Sequence, residues 1–376
     1  MNIRRSSIIV DLTFGDYGKG VTVSNLCLEA DAPLVVRYTG GQQAAHHVVF
    51  DGVSHTFSSF GSGTLQEVPT YFSKHTMMYL PNMMEEHKLL EERGLTPKLF
   101  LDPLTMVTTP YDVAWNRLTE SKSRHGSCGI GISSTMERNL NTPYKLYAAD
   151  LKHPKLFAKK LEGIKDYYID REFALTNNAG PLYNLYLPEE RRFKEALSYK
   201  SMFDIATLHQ AIDQYAPNDL IFEGAQGIML DEDHGIHPNT TWGHTTSRNA
   251  WECLEQIGYD SPVDMYHGTR CYGTRHGAGW MGEESDIELD NPHTEMNGHN
   301  EWQGDFRRGE LDVDTLKYAI NCNRGYYRSN DVNEGLVVTC LDQRPGFDME
   351  ALVKQIDIEN VLVNDSPITG HLRWYD

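Results

Sequence analysis

The chain has 376 residues, a net charge of -19 with its histidines neutral, and six cysteines. That length can bury a large core, while the acidic balance argues against DNA or RNA as the main partner, because phosphate-backbone binding is driven by clustered Lys and Arg. No apolar run approaches membrane-spanning length, MNIRRSS lacks a signal-peptide core, and Cys27, Cys128, Cys253, Cys271, Cys322 and Cys340 show no CxxC spacing. The expectation is a reduced, soluble, cytoplasmic chain with no disulfide framework, no zinc ribbon and no membrane contact.

The first informative stretch is SSIIVDLTFGDYGKG, Ser6 to Gly20. An apolar run, Ile8 to Val10, reads as a buried parallel strand ending at Asp11, and Gly15, Gly18 and Gly20 then open a loop before a helix predicted over Val21 to Ala30. Such a loop wraps anionic oxygens with free amides, adds the positive end of the helix dipole, and supplies a cation in Lys19. GxxGKG is shorter than the common phosphate-loop pattern, so a plain glycine turn is the structural alternative. Asp16 separates the two: a carboxylate is unwelcome among phosphates unless it holds Mg²⁺ or moves a proton.

A second strand, Leu34 to Tyr38, runs into TGGQQAAHH, again placing glycines at a strand's carboxyl end, where open α/β sheets keep their ligands. His46 and His47 enter a hairpin turned at Asp51-Gly52, and only one of two adjacent strand residues can face the loop. Met77 to Leu80 reads as a strand and Asn82 to Arg93 as an amphipathic helix. Arg124 to Asn139 gathers Gly126, Gly129, Gly131, Ser127, Ser133, Ser134, Thr135 and Arg138, a phosphate-holding composition that a flexible linker could also have. Leu151 to Tyr215 is helical and charged, without chemistry. The sheet resumes at Leu220 to Phe222 and breaks into EGAQGIMLDEDHG, followed by Thr240, Thr241 and His244. Its histidines and aspartates suggest a metal only weakly, since no HExxH-like pair occurs. Val263 to His267 leads into YGTRHGAG; Arg307 and Arg308 beside Gly304 read as a mobile carboxylate or phosphate clamp. A helix around Asp314 to Cys322 and a strand, Leu336 to Val338, ending in TCLD complete the pattern. With no repeat or linker, the chain is expected to be one α/β domain with a helical insertion at about 151–215.

In that order, GDYGKG, VVRYTGGQQAAHH, FEGAQGIMLDEDHG, YGTRHGAG and TCLD resemble the adenylosuccinate synthetase family across nearly the whole chain. The resemblance implies a large, mostly parallel sheet with a phosphate-loop-like nucleotide site, a homodimer, and a Mg²⁺-dependent ligase. In that reaction a nucleoside triphosphate phosphorylates the 6-oxygen of a purine monophosphate, and the amine of L-aspartate displaces the phosphate. By resemblance, Asp16 is the general base and His46 the general acid, with Asp16 and the Ala45 carbonyl on the metal. The donor would rest on Gly15, Asp16, Tyr17, Gly18, Lys19, Gly20 and Val21, and on Ala45, His46, His47 and Asp342. The acceptor would take Asp16, Lys19, Gln43, Ser127, Gln226 and Thr241, with Arg138 reaching across the dimer interface. L-aspartate would meet Gly304, Asp305, Arg307 and Arg308.

Departures narrow the reading. GGQQAAHH stands for a typical GGHNAGHT, the loop before Arg307 is short and lacks threonines, and Cys340 replaces the lysine that lies over guanine in TKLD. The opening DLTFG resembles the bacteriophage branch that makes 2-aminoadenine nucleotides from dGMP with ATP or dATP, which would put the chain in a host cytoplasm. IMP with GTP is the alternative, and a nucleotide-hydrolysing switch or assembly ATPase is the alternative of another class.

Overall fold

The computed structural model describes residues 3–123, 127–176, 180–199, 202–295, 297–299, 304–329 and 331–375. Ten strands form the main sheet: β1 (Arg5–Asp11), β2 (Pro33–Arg37), β3 (Thr70–Phe72), β4 (Leu99–Leu101), β5 (Asp204–Ile205), β6 (Asp219–Gly227), β7 (Val263–Arg270), β8 (Val332–Thr339), β9 (Asn360–Val363) and β10 (Arg373–Trp374). Their order is β10-β9-β8-β7-β1-β6-β2-β3-β4-β5, and every pairing is parallel except β9 with β10.

Alternation along β1 explains why the sheet is covered on both faces. Ile8 and Val10 join one apolar cluster, with Leu316 and Trp251 from helices of that side; Ile9 points the other way, into a cluster with Val23, Leu26 and Cys27 of helix α1 (Lys19–Glu29). A third cluster sits under the hairpin His46–Phe50/Val53–Phe57 and draws on α2 (Leu80–Glu92), α3 (Pro110–Ser123), α5 (Pro154–Thr176) and α6 (Pro181–Ser198), with α4 (Ile132–Asn141) lying beside α3. Among the described residues no helix is long and apolar enough to cross a membrane.

Two expectations need correction, and two strands went unforeseen. Thr70–Phe72 and Leu99–Leu101 are strands of three residues, too short to announce themselves, and Asp204–Ile205 extends the sheet inside the stretch read as helical. Met77 to Leu80 is a strand only at Met77–Met78, pairing with Met106–Val107 apart from the main sheet, because Pro81 starts α2 at Leu80.

What positions the site is polarity. The loops after β1, β2, β6, β7 and β8 all leave from carboxyl ends of parallel strands, so five glycine-bearing or polar turns converge on one edge around the central strand β1.

Candidate active site

The phosphate-loop segment is built on Asp11. Its carboxylate, buried at the end of β1, accepts from the amides of Thr13 (2.8 Å), Gly15 (3.3 Å) and Tyr17 (3.1 Å) and from Lys19 Nζ (2.9 Å). Burial opposes that charge, but Lys19 and the amides hold the carboxyl below its usual range. Gly18 caps α1 with φ 95° and no side-chain bond, so the first amides of the helix stay free for an anion. A Cβ on Gly20 would lie 2.6 Å from the carbonyl oxygen of His47; glycine there lets the His46 strand pack against the helix start.

His46 is buried, and its Nδ1 donates to Glu223 at 2.5 Å, leaving Nε2 without a partner among the described residues. Glu223, fully buried on β6 between Ile9 of β1 and Arg37 of β2, also accepts from the Ser62 amide (3.1 Å) and from the Ser62 hydroxyl. Burial works against its charge, yet His46, Arg37 and Ser62 hold the carboxyl down at about 2. Burial pushes His46 down to about 4 despite Glu223, so the imidazole is neutral at neutral pH and the carboxylate fixes its tautomer.

Two cavities meet at His46. The first, about 390 Å³, is lined by Phe14, Gln43, Ser127, Gln226, Thr240, Thr241, Arg275 and His276, among others; the second, about 220 Å³, runs from Gly18, Lys19 and Gly20 to Asp342, Gln343 and Asn364. Gly15, Asp16, Ala45, His46 and Asn297 line both. Desolvation raises the Asp16 pKa above the usual carboxylate value against the pull of His276, Arg270 and Lys19. No hydrogen bond reaches the Asp16 carboxylate among the described residues, and His276 Nε2 stands 3.7 Å away. An uncommitted carboxylate and the nearby Ala45 carbonyl are hard oxygen donors of the kind Mg²⁺ takes. Elsewhere among the described residues, Asp231, Asp233 and His244 could hold a metal, but Asp231 already accepts from the amides of Asp233, His234 and Thr245 (2.9, 3.3 and 2.5 Å) and works as a turn staple.

The adenylosuccinate synthetase family model matches residues 8–353. The chain belongs to the adenylosuccinate synthetase family. The adenylosuccinate synthetase of Teredinibacter turnerae is 31% identical over 347 residues, spanning 85% of this chain and 75% of the relative. That of Vibrio parahaemolyticus is 31% identical over 337 residues, spanning 84% and 74%. Two solved structures share the fold: a fully ligated adenylosuccinate synthetase from Plasmodium falciparum (TM-score 0.74, 17% identity, 100% of both chains) and the cyanophage S-2L succinoaminodeoxyadenylate synthetase bound to dGMP and dATP (TM-score 0.66, 15% identity, 99% and 95%). The chain is therefore a carbon–nitrogen ligase of the adenylosuccinate synthetase type, a family generally dependent on Mg²⁺.

Against that family background, the structure brings Gly15, Asp16, Ala45, His46, Gln43, Ser127, Gln226 and Thr241 to the first cavity, and Gly18, Lys19, Gly20, Val21, His47 and Asp342 to the second. Tyr17 is not among them, because its ring is buried against Gly268. Arg138 is a correction: it is fully buried, donating to both Asp112 oxygens (2.8 and 2.9 Å) and to the carbonyls of Val107 and Tyr144, so it can neither grip a phosphate nor reach across an interface. Arg307 is another: it sits on strand Phe306–Gly309, paired with Gly273–His276, and its guanidinium is taken by Glu284 (2.5 Å) and by the carbonyls of Gly277 and Gly279. Gly304, Asp305 and Arg308 line neither cavity, and the exposed Asp305 carboxylate meets His299. Of the glycine-serine segment, Gly126 lies outside the described residues.

Sequence reasoning gave no role to Asp11, Glu223, Arg275 or His276. The available signals were a carboxylate closing each of two apolar strands and, for Glu223, an arginine closing the neighbouring one. Arg275 lies over Phe14 (4.3 Å) and among the described residues bonds carbonyls, those of Trp280 (2.6 Å) and Asn239 (3.0 Å); burial and then Arg307 push its pKa down to about 10.

Proposed function

We propose that this ligase condenses dGMP with L-aspartate, driven by ATP or dATP through a 6-phosphoryl purine, giving N6-succino-2-amino-2'-deoxyadenylate, ADP (or dADP) and phosphate. The observation that carries it is the shared wall: the two cavities have Gly15, Asp16, Ala45, His46 and Asn297 in common, and Asp16 and His46 are the titratable side chains of that wall. Phosphoryl transfer between two nucleotides needs that arrangement, since catalysis there is mostly positioning and charge neutralisation.

In this reading the acceptor fills the first cavity. Asp16, its basicity raised by desolvation, accepts the purine N1 proton as charge moves to the 6-oxygen. The same carboxylate can accept from N1–H and a 2-amino group together, which suits guanine. His46 Nε2 faces the transferred phosphoryl oxygens; their negative charge favours the imidazolium, which Glu223 stabilises from behind, and the ring then donates. Asp16 and the Ala45 carbonyl would hold Mg²⁺, whose chemistry is to neutralise charge on the polyphosphate. For L-aspartate the assignment moves from Arg307, engaged with Glu284, to Arg275, a cation in the first cavity wall with no carboxylate partner among the described residues. The cyanophage structural neighbour, solved with dGMP and dATP, agrees with this choice of acceptor and donor; the curated relatives favour the second reading, IMP with GTP.

The test is phosphate release by purified protein with aspartate, Mg²⁺ and each acceptor-donor pair. Turnover of dGMP with ATP is expected, and turnover of IMP with GTP but not of dGMP would replace the proposal with the second reading. Hydrolysis that ignores acceptor and aspartate would point instead to a nucleotide switch.

A further inference from the structure

At the end of the second cavity away from the phosphate loop, the turn after β8 meets the turn after β9, tied by Leu341 N to Asn364 O (3.2 Å) and Asn364 N to Val338 O (2.9 Å). Two side-chain atoms here are buried and bond nothing among the described residues, Gln343 Oε1 and Asn364 Nδ2, on residues 4% and 2% exposed. Both residues line the cavity. The amide orientations follow from their other halves. Gln343 Nε2 donates to the Asn291 carbonyl (3.0 Å), Thr294 Oγ1 (2.5 Å) and Asp342 Oδ2 (3.2 Å), while Asn364 Oδ1 accepts from the Ser366 amide (2.8 Å). Flipping either amide would set like atoms against each other, so at the cavity wall Gln343 keeps an unpaired acceptor and Asn364 an unpaired donor among the described residues.

We propose that Gln343 and Asn364 are the specificity pair for the donor base and select a 6-aminopurine: the exocyclic amine donates to Gln343 Oε1 and the adjacent ring nitrogen accepts from Asn364 Nδ2. This rests on reading the second cavity as the donor site and adds the two residues that choose its base. A 6-oxopurine seated the same way sets its oxygen against Gln343 Oε1 and its N1–H against Asn364 Nδ2. Buried groups left in such like-to-like contacts are what makes a polar site discriminate strongly. Asp342, the carboxylate that could otherwise take N1–H and the 2-amino group of guanine side by side, already accepts from Gln343 Nε2 on one oxygen.

The test measures donor binding alone, by displacement of a fluorescent ATP analogue from the full chain with ATP or GTP as competitor and no acceptor or aspartate present. Wild type is expected to prefer ATP by at least about tenfold, the lower end of the cost of one unpaired buried group. Asn364→Asp, which puts an acceptor where the donor was, should weaken ATP at least about tenfold and bring the ATP:GTP ratio to parity or below. Gln343→Met should lower the ratio as well; because Gln343 also anchors Asn291 and Thr294, Asn364→Ser replaces it should it fail to fold. Equal affinity for the two triphosphates in wild type, or an unchanged ratio in folded Asn364→Asp, overturns the pair. The acceptor assay is separate: an ATP preference that wild type shows and the variants lose, in a protein that turns over IMP rather than dGMP, upholds the pair and removes the dGMP assignment. Turnover of dGMP with an unchanged ratio does the reverse.

Discussion

Replacing Glu223 by glutamine tests how His46 is made an acid. Glutamine keeps the shape of the side chain but removes the charge, and its amide nitrogen must face either His46 Nδ1 or Ser62, both of which donate to Glu223. A charge-assisted hydrogen bond contributes about 1.5–3 kcal/mol, and the imidazolium formed during transfer loses its buried counter-charge. A deficit of about 2.7 kcal/mol in the transition state is roughly 10²-fold in kcat. Glu223 lines neither cavity, so KM for nucleotides and aspartate should move less than about threefold. The fold should also weaken, by about 2–4 kcal/mol, because buried Arg37 depends on Glu223 and Glu86 for counter-charge. Initial rates of phosphate release, normalised to folded protein from a thermal melt, read both effects. Glu223→Asp, which retains the charge, should recover part of the rate. A folded Glu223→Gln with kcat within about threefold of wild type would show that the tether is purely structural and refute the reasoning.

Asp16→Asn and His46→Asn should each lower kcat by roughly 10²-fold or more with the melting curve little changed; either variant at full rate removes that residue from the mechanism. Arg138→Met should cost about 3–5 kcal/mol by stranding the buried Asp112 carboxylate while leaving the acceptor KM of the folded fraction unchanged, and a raised KM would restore the phosphate role. Arg275→Met should raise the aspartate KM at least about tenfold while the donor KM holds; an unmoved aspartate KM sends that subsite elsewhere. Burial pushes His46 and His267 down to about 4. The unfolded imidazoles bind protons that the native ones refuse, so stability rises with pH across the window from about 4 to the ordinary value near 6.5 and is lost as pH falls through it. His267→Asn should reduce that slope by about 1.2 kcal/mol per pH unit near pH 5 in urea titrations, and an unaltered slope would mean His267 is protonated in the native state.

Much of the architecture was legible because it rests on local patterns. Apolar runs that stop at glycine gave the strands after which the site is built, and Asp51-Gly52 gave the hairpin, whose turn residues have φ 47° and 73°. Edge strands of two or three residues carry too little periodicity to be seen. The arginines were misjudged for a different reason. Arg138 and Arg307 looked like anion clamps beside glycines, but a guanidinium's function depends on what occupies its donors, and Asp112 and Glu284 are 26 and 23 residues away in the chain. Glu223 and His46 are 177 residues apart; β6 pairing between β1 and β2 places the first and the hairpin after β2 carries the second.

The cations that line the second cavity are already satisfied inside the protein. Lys19 Nζ donates to Asp11 at 2.9 Å and to the Gly15 carbonyl at 2.5 Å, and Arg270 is paired with Glu295 and donates to the backbone carbonyl of Asp16. In a chain of net charge -19, an arriving polyphosphate must therefore share or displace internal partners, since the cavity's lysine and arginine among the described residues are both engaged. The exchange is local: Asp11 holds the loop through amides as well as through Lys19, so Lys19 can turn to a phosphate while Thr13 and Tyr17 keep the glycine turn in place. Removing Asp11 would free the lysine and dissolve the loop it serves. Asp11→Asn should thus weaken triphosphate binding, although it makes the site less negative; tighter binding would mean that charge, and not loop geometry, limits affinity here.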